Sequence, residues 1–593
     1  MTVIAIAPQP GSSDTPAARQ PPPKGKWYRR HRLSIAILVP LLTVVGLANS
    51  WNLQGWPGRV NDDEGTYVAE AWALLVPHHL SHYTYWYDHP PLGWALIAWW
   101  AWLTRGFARY PSAVMLGREV MWLICLASCG LLYGVARRFQ MRRAAAAGAV
   151  LIFGLSPLAI YYHRMVFLDN PATMWMLAAL AIAASPRRSL AAALWSGACT
   201  AIAVLTKETV ILLMPAIVWV LCQYTDRKTR PWHLATYGAT CLFLILGYPL
   251  FAALRGELFP GTGHVSLLWA LYWQFFERSG SGSLLDPHSG TFGLAQFWLS
   301  LDPWLLLVGV VLLPVAVFVR RLRPLAFALG LQILILLKGG YVPYAYVTAM
   351  LPFAALLIAG IADTWWPPLA RSVQGADIPV PDKGRHAAPS AHSTWPWPGS
   401  QSRWWLAQIR RALVITGVAA FAVMVAPGWW HSLESQASVK GDAGELAATA
   451  WIERNVPQGT VVVVDDYMWP DLKIHSRVYP LWVWKVNTDP WVTKHVLPDG
   501  YASIGYIVLA PLAPSTLATL PTLKAALDHS RLVATFGDGI TVRVVLEPDT
   551  GHAVLPASSA VRSGTSRAEI SILATSTRVA HLTAPVKLEG ASE

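Results

Sequence analysis

Residues 61–67 read Asn-Asp-Asp-Glu-Gly-Thr-Tyr, and they follow the first long apolar segment, residues 33–50, almost directly. Asp62, Asp63 and Glu64 thereby place three adjacent carboxylates just beyond a segment long enough to cross a membrane. Ionisable groups beside a bilayer are costly, so a cluster of them indicates a functional site. We therefore searched the rest of the chain for polar groups that converge on this cluster.

The composition is typical of a polytopic α-helical membrane protein. Of the 593 residues, 54% are hydrophobic and 13% are charged, and the mean hydropathy is +0.39; soluble proteins average about 25% charged residues. Apolar runs of roughly 17–25 residues recur along the chain, without the short alternation of a membrane β-barrel. The net charge of +13 comes from Lys/Arg tracts at helix ends, which is the positive-inside pattern and argues against nucleic-acid binding.

The alternation of apolar segments and basic connectors predicts about eleven membrane-spanning helices. We expect them near residues 33–50, 118–137, 144–162, 171–185, 190–206, 208–224, 234–253, 304–320, 324–340, 343–362 and 411–428. Each strongly basic connector then lies on the cytoplasmic side, as does the N-terminus. The acidic cluster and everything after the last span lie outside.

Residues 92–107 form an apolar segment whose length, about sixteen residues, is marginal for crossing a bilayer. If it crossed, the basic tract at 137–143 would lie outside the cell. We therefore expect an interfacial or re-entrant helix within a large first external loop. Its tryptophans suit a membrane interface: Trp94, Trp99, Trp100 and Trp102.

Composition outside the spans divides the chain further. A helical pattern and several β-branched runs predict a small extracytoplasmic α/β domain after the last span. The helical pattern lies at Glu445–Asn455, and the β-branched runs lie at 460–464, 504–509 and 532–546. The predicted segments are a disordered cytoplasmic N-terminus (1–32), a transmembrane catalytic domain (33–430) containing a flexible cytoplasmic loop (366–402), the α/β domain (437–547) and a disordered tail (548–593).

On this topology the outer face collects anionic and cationic side chains together. The first loop supplies Asp62, Asp63, Glu64, Asp88 and His89. The two following external turns supply Arg164, Asp169 and Lys207, and the turn near 340 supplies Tyr344 and Tyr346. Such a set suits a reaction in which a carboxylate accepts a proton while cations hold a departing phosphate.

These residues, in this order, resemble the GT-C glycosyltransferases of the protein O-mannosyltransferase and lipid A aminoarabinose-transferase group. The resemblance covers about residues 30–430, and the trailing α/β domain is similar in kind to that of the aminoarabinose transferases. The motifs that carry it are Asp63-Glu64, His-Pro-Pro-Leu from His89, Arg-x4-Asp from Arg164 to Asp169, and Leu-Thr-Lys ending at Lys207. The resemblance implies a GT-C fold and inverting transfer of a sugar from a polyprenyl monophosphate.

The resemblance also implies roles for individual residues. Asp63 corresponds to the catalytic base, with Glu64 and Asp169 as further catalytic carboxylates. The lipid-phosphate leaving group is assigned to Arg164, Lys207 and His89. Asp62, Asp88, Tyr344 and Tyr346 complete the predicted substrate-binding set, although no clear Arg occupies the late Tyr/Pro-rich helix start.

The implied partners are a polyprenyl-phosphate sugar, the lipid bilayer and an extracytoplasmic acceptor that is a protein, a cell-envelope glycan or a lipid. The implied location is a cell membrane. No metal ligand set is assigned: His78, His79 and His82 lack matched ligands, and Asp465-Asp466 favours a turn at a strand end. Carboxylates this close are able to hold a divalent cation, and the sequence leaves that requirement open.

Other interpretations of the same residues stay open. The acidic cluster suits a solvated helix N-cap, His89 with its two prolines suits a plain helix start, and Lys207 suits a snorkelling side chain. Arg164 and Asp169 suit a structural ion pair. For the whole chain, the alternatives are a polymerase or ligase with a diphosphate-linked donor, a lipid or sugar transporter, and a scaffold whose α/β domain binds a partner.

Overall fold

The computed structural model describes residues 26–59, 62–83, 87, 89–261, 266–366, 399–537 and 539–546. Several predictions lie outside them: the site residue Asp88, the N-terminal residues 1–25, most of the loop 366–402 and the tail 548–593. Within the described range the chain is mostly helical and ends in a five-stranded sheet.

The first part of the chain is a succession of helices. Their bounds are α1 Lys26–Ser50, α2 Asp63–Leu75, α3 Leu92–Thr104, α4 Gly106–Arg109, α5 Ala113–Arg138, α6 Arg143–Leu155, α7 Pro157–Arg164, α8 Asp169–Ala183, α9 Leu190–Val204, α10 Met214–Tyr224, α11 Arg230–Ile245, α12 Gly247–Leu254, α13 Leu267–Tyr272, α14 Gly290–Leu301, α15 Pro303–Phe318, α16 Arg323–Lys338, α17 Leu351–Trp365 and α18 Gly399–Gln436. Short 3₁₀ segments, Glu208–Leu213 and Tyr346–Ala349, precede α10 and α17.

Helices lie at all eleven predicted positions. The prediction of a mostly helical chain with several apolar helices is therefore confirmed. Among the described residues, five helices are able to cross a membrane by length and composition, and up to seven if each bent pair counts as one span. The bent pairs are α6–α7, with an angle of 63°, and α14–α15, with an angle of 111°. The number eleven therefore stays a prediction.

Two helix ends differ from the predicted boundaries. Helix α1 begins at Lys26, so residues 26–32 are helical where the sequence predicts disorder. Lys and Arg are good helix formers, and an apolar helix that follows them extends readily into such a tract. Helix α18 begins at Gly399, so residues 399–402 belong to this helix and not to the predicted loop.

The apolar segment at 92–107 forms a short helix that does not continue into a span. Helix α3 has 13 residues, which corresponds to about 20 Å. It ends at Thr104, and the next residue, Arg105, has a backbone φ of 52°. Trp99 and Trp102 are exposed, as expected for an interface, but Trp94 is only 1% exposed. The interfacial prediction is therefore wrong for Trp94, because it faces α2 and α5 in a local core.

Contacts between the basic connectors bring them together in two groups. The Asp363 carboxylate accepts hydrogen bonds from Arg142 (2.7 Å) and Arg321 (2.8 Å), which joins three connectors. A second ion pair joins Arg188 to Asp226 at 2.6 Å. These contacts agree with connectors that share one side of a membrane; the orientation of the termini stays a prediction.

The last part of the described chain is a mixed sheet with short helices. The helices are α19 Ala443–Asn455, α20 Trp469–His475, α21 Lys485–Thr488, α22 Pro490–His495, α23 Pro514–Leu517 and α24 Pro521–Asp528; the strands are β1 Val461–Val464, β2 Tyr479–Trp482, β3 Tyr506–Leu509, β4 Ser530–Phe536 and β5 Ile540–Val545. The strand order is β2-β1-β3-β5-β4. Strands β1, β2 and β3 are parallel, whereas β5 is antiparallel to β3 and β4.

Sequence patterns missed strand β2 because it contains Pro480. Proline cannot donate a ladder hydrogen bond, so it argues against a central strand. The sheet accommodates it because β2 lies at an edge. Helix α19 covers the predicted helix at Glu445–Asn455, and strands β1, β3, β4 and β5 lie at the predicted β-branched runs.

Candidate active site

The first turn of α2 carries the acidic cluster and directs its side chains to different neighbours. Residues four apart share a helix face, so Asp62 lies on the face of Thr66, and Asp63 lies on the face of Tyr67. Thr66 contacts the sheet-containing part of the chain. Tyr67 contacts His89, with ring centroids 6.2 Å apart. The helix therefore separates three adjacent carboxylates that look equivalent in the sequence.

Glu64 is fully buried in a bidentate ion pair. Its two carboxylate oxygens accept hydrogen bonds from Arg118 Nε (3.0 Å) and Nη2 (2.8 Å), and Oε1 also accepts the backbone N–H of Val166 (3.0 Å). Arg118 is only 1% exposed and donates further to the carbonyl of Gln54. Glu64 thus connects α2, α5 and the loop before α8, and this geometry favours a structural role over the predicted catalytic one.

His89, Lys207 and Glu208 form a hydrogen-bonded chain. Lys207 Nζ lies 2.7 Å from His89 Nε2, and His89 Nδ1 lies 3.1 Å from Glu208 Oε2. An ammonium group only donates, so the bond from Lys207 requires His89 Nε2 to accept and His89 Nδ1–H to donate to Glu208. His89 and Lys207 are buried, with 7% and 5% exposure.

These hydrogen bonds give His89 a role that differs from the predicted contact with the lipid phosphate. In this arrangement His89 holds the lysine ammonium, and Glu208 fixes the tautomer of the imidazole. The Lys207 ammonium also lies 6.0 Å from the centroid of the Tyr67 ring, within the range of a cation–π contact. Glu208 is a site residue that sequence reasoning did not assign; its position next to Lys207 in the same turn was the available signal.

Asp169 lies at the start of α8 and is 4% exposed. The positive charge of Lys207 lies close enough to act on its carboxylate. Asp169 and Tyr346 line the same small cavity, together with Val210. The structure thus brings His89, Asp169 and Lys207 together, as the sequence predicts.

Arg164 is buried but does not pair with Asp169. Its guanidinium donates to the backbone carbonyls of Asn49 (2.9 Å) and Trp56 (3.1 Å) and lies 5.2 Å from the Trp56 ring. Among the described residues no carboxylate lies within ion-pair distance of it. Its Nη2 atom is buried without a hydrogen-bond acceptor in that part of the chain. The structural ion pair that the sequence left open is therefore absent here.

Tyr344 belongs to an aromatic group beside α7. The hydroxyls of Tyr344 and Tyr161 lie 2.8 Å apart, and the Tyr344 ring stacks on Phe297 with centroids 5.9 Å apart. Tyr346, two residues further on, instead donates its hydroxyl hydrogen to the carbonyl of Gln332 at 3.0 Å. The two tyrosines predicted as substrate-binding therefore lie in different surroundings.

Asp62 faces the C-terminal sheet and not the His89–Lys207 pair. The Trp482 indole N–H lies 3.4 Å from its Oδ2 atom. Burial raises the pKa of Asp62 above its ordinary value, Arg59 opposes that shift, and Asp466 adds to it. Asp62 is thus part of an acidic interface, whereas Asp63 is half-buried on the other face.

No group of three or more His, Cys, Asp or Glu side chains is arranged to hold a metal ion within the described ranges. The Asp465-Asp466 pair follows β1 and binds side chains of the first loop: Asp465 pairs with Arg59, and Asp466 pairs with His82. The five cysteines form no disulfide.

Part of the chain is similar to a known protein family. Residues 88–250 match the sequence model of the family described as dolichyl-phosphate-mannose-protein mannosyltransferase. That segment contains His89, Arg164, Asp169 and Lys207, but it does not reach the acidic cluster. A search of curated proteins found no match.

The fold is similar to that of one solved structure at low sequence identity, and two further structures match with lower scores. The apo structure of ArnT from Cupriavidus metallidurans is 16% identical, with a TM-score of 0.51, covering 87% of this chain and 98% of that chain. The structure of the same protein bound to undecaprenyl phosphate is 17% identical, with a TM-score of 0.49 and the same coverage. The apo oligosaccharyltransferase of Archaeoglobus fulgidus is 12% identical, with a TM-score of 0.48, covering 82% of this chain and 70% of that chain.

The described chain is therefore a mostly helical protein with several helices long and apolar enough to span a membrane, and its fold is similar to that of apo ArnT. The match over residues 88–250 and the fold shared with apo ArnT confirm the resemblance to GT-C glycosyltransferases.

Proposed function

We propose that this chain is an inverting membrane glycosyltransferase that moves a monosaccharide from a polyprenyl-phosphate donor to an extracytoplasmic acceptor. The observation that carries the proposal is the buried group of Asp169, His89 and Lys207, which lies against the α2 face that also bears Asp63. The matched family description names dolichyl-phosphate-mannose, which is a polyprenyl-phosphate sugar.

In the proposed reaction the acceptor oxygen attacks the anomeric carbon of the donor sugar. The bond from that carbon to the phosphate oxygen breaks as the new glycosidic bond forms, and the electron pair leaves with the lipid phosphate. Asp63 takes the proton of the acceptor hydroxyl. The leaving phosphate thereby gains one negative charge beyond that of the donor phosphodiester, so it needs cations beside it.

Lys207 is the cation that we assign to the leaving phosphate. Its ammonium has three N–H donors, of which the bond to His89 uses one. The other donors suit phosphate oxygens, and burial strengthens such contacts. His89 and Glu208 hold Lys207 in place. Arg164, the last residue of α7, supplies a second positive charge. Asp169 is assigned to the sugar or the acceptor. Substrate positioning in a water-poor site supplies the rest of the rate.

The direct test is transfer of labelled sugar from a panel of polyprenyl-monophosphate monosaccharides, using purified protein in lipid with total membrane acceptors. We expect transfer from one donor, and we expect Asp63→Asn to abolish it while the protein stays folded. Asp226→Asn is a matched control, because Asp226 lies in an exposed ion pair with Arg188 among the basic connectors.

Two outcomes would overturn the proposal. Transfer by Asp63→Asn at the wild-type rate would remove Asp63 as the base. No transfer from any monophosphate donor by folded protein would favour a diphosphate-linked donor or a transporter.

The proposed topology has its own test. Gln140 is exposed in the connector between α5 and α6, which we place in the cytoplasm. A Gln140→Cys variant should react with a membrane-impermeant thiol reagent only from the cytoplasmic side. Labelling from outside would place the basic connectors on the wrong face and would contradict an external active site.

A further inference from the structure

The C-terminal sheet meets the first loop along the edge where its parallel strands end. Asp465 and Asp466 directly follow β1, and Trp482 is the last residue of β2. In open α/β sheets, the crevice beyond the carboxyl ends of the strands is the usual place for a ligand. Here that edge contacts α2 and residues 81–83 of the same chain.

Asp466 makes the central contact, and its side chain is fully buried. The Thr66 hydroxyl donates to Asp466 Oδ2 at 2.7 Å, and His82 Nε2 lies 3.1 Å from both carboxylate oxygens. A buried carboxylate with several hydrogen-bond donors holds those donors firmly. Asp466 thus ties α2 to the segment that precedes His89.

Backbone packing reinforces this contact at Gly65. A Cβ atom at this position would lie 1.9 Å from the carbonyl oxygen of Asp466 and 2.4 Å from the amide nitrogen of Tyr467. Only glycine allows such an approach, because the neighbouring atoms belong to backbone and cannot turn away. The first turn of α2 therefore rests directly on the loop after β1.

Further bonds surround this contact. Arg59, just before α2, forms an ion pair with Asp465. The Trp482 backbone N–H donates to the Tyr83 hydroxyl at 2.7 Å. The Asp471 carboxylate accepts the N–H of Ala113, the first residue of α5, at 2.6 Å. The sheet is therefore bound to the first loop through side chains and backbone at several places.

These contacts bear on the reaction through the geometry of a single helix turn. Thr66 lies one residue before Tyr67 and three after Asp63, so holding Thr66 also fixes the rotation of α2 about its axis. That rotation decides whether Asp63 faces the His89–Lys207 pair. A general base that is misplaced by about 1 Å loses much of its effect on the rate.

We propose that the C-terminal α/β part of the chain is a positioning element of the active site, in which Asp466 holds Thr66 and thereby directs Asp63. This inference rests on the proposed function for its catalytic consequence, but the contact between Asp466 and α2 does not depend on it. Asp466 is a positioning residue and touches no reacting atom. The strand edge that α/β domains commonly offer to ligands is occupied here by the chain's own first loop.

The test uses the full chain and three substitutions. Asp466→Asn weakens the bond by replacing the charged acceptor with a neutral amide, Thr66→Val removes the donor, and Thr66→Ser keeps the hydroxyl. We expect Asp466→Asn and Thr66→Val to lower kcat roughly tenfold to hundredfold with an unchanged KM for the donor. We expect Thr66→Ser to retain activity and the double variant to be no worse than either single one. Asp528→Asn is the matched control, because Asp528 is exposed at the end of α24.

Hydrogen–deuterium exchange tests the positioning without reference to any activity. Amides of the first turn of α2 should exchange faster in Asp466→Asn and Thr66→Val than in the wild type and in Asp528→Asn. Unchanged exchange, or losses in kcat that add up in the double variant, would overturn the inference. Changed exchange in a chain that shows no transfer would support the positioning contact and contradict only the proposed function.

Discussion

The two ends of the helical bundle both contain buried carboxylates, but the groups around them differ. At one end Asp363 accepts hydrogen bonds from two arginines, Arg142 and Arg321, whose side chains are 42% and 25% exposed. At the other end His89, Lys207 and Asp169 are all less than 8% exposed. The first group joins connectors at the surface, whereas the second places a lysine, an imidazole and a carboxylate together inside the protein.

This difference separates charge that holds the fold from charge that is available for chemistry. Each oxygen of Asp363 has an arginine partner, so the group is satisfied by the chain alone. The Lys207 ammonium donates a hydrogen bond to His89 Nε2, an uncharged acceptor that does not neutralise it. A buried ammonium with this kind of partner is suited to receive an anionic ligand. The predictions that follow test this separation.

The largest effect is expected at Glu64. This residue lies near the proposed active site, but its carboxylate, like that of Asp363, is paired with arginine. Glu64→Gln leaves the buried Arg118 charge uncompensated, and we expect a loss of about 3–5 kcal/mol in the free energy of unfolding. Thermal unfolding of the purified protein measures this. Glu64→Gln combined with Arg118→Gln should lose less than the sum of the two single changes. A stable Glu64→Gln protein that fails only in transfer would restore the catalytic role that the sequence predicts.

The next largest effect is expected at Lys207, on activity and not on folding. Lys207→Ala should lower kcat/KM for the donor by roughly 100-fold, the usual cost of removing one donor to a developing negative charge. The thermal midpoint should change little, because this substitution removes a buried charge. Donor titrations of the wild type and the variant make the measurement. An unchanged titration would exclude Lys207 from phosphate binding.

Asp363→Asn should show the opposite behaviour. It removes charge-assisted hydrogen bonds to two arginines, and we expect a loss of about 1–3 kcal/mol in stability. Transfer per folded molecule should stay at the wild-type rate. If Asp363→Asn lowered transfer while leaving the thermal midpoint unchanged, the proposed separation between the two ends would be wrong.

The smallest effect is a pH dependence at Asp471, where the C-terminal part meets α5. Burial raises the pKa of Asp471 to about 7, above the value of about 3.9 in an unfolded chain. The folded protein therefore keeps a proton that the unfolded chain has lost, so this contribution to stability is complete below about pH 4 and is lost as the pH rises through 7.

We expect the slope near neutrality to be on the order of 1 kcal/mol per pH unit. Asp471→Asn keeps an acceptor for Ala113 and removes the titration, so its thermal midpoint should vary less between pH 5 and 8. Equal slopes for the wild type and the variant would contradict the assignment.

The sequence predicted much of the architecture because the relevant signals are local. Apolar runs placed helices at every predicted position, and β-branched runs placed strands β1, β3, β4 and β5. Local signals also placed His89, Asp169 and Lys207 on external turns, which the structure brings together. Where these signals are ambiguous the prediction failed, as at Pro480 in the edge strand and at Trp94 in a buried helix face.

The identity of each acidic residue's partner was not available from the sequence. Asp62, Asp63 and Glu64 are adjacent, yet Glu64 pairs with Arg118, 54 positions away, and Thr66 binds Asp466, 400 positions away. Helix geometry sends neighbouring side chains in different directions, but what each one meets depends on how distant segments pack. The sequence by itself thus determined a helical membrane protein with an acidic first loop. Only the tertiary structure decided which carboxylate is locked in an ion pair, which faces the sheet and which lies on the helix face that meets His89, because those partners arrive through long-range packing that no local pattern records.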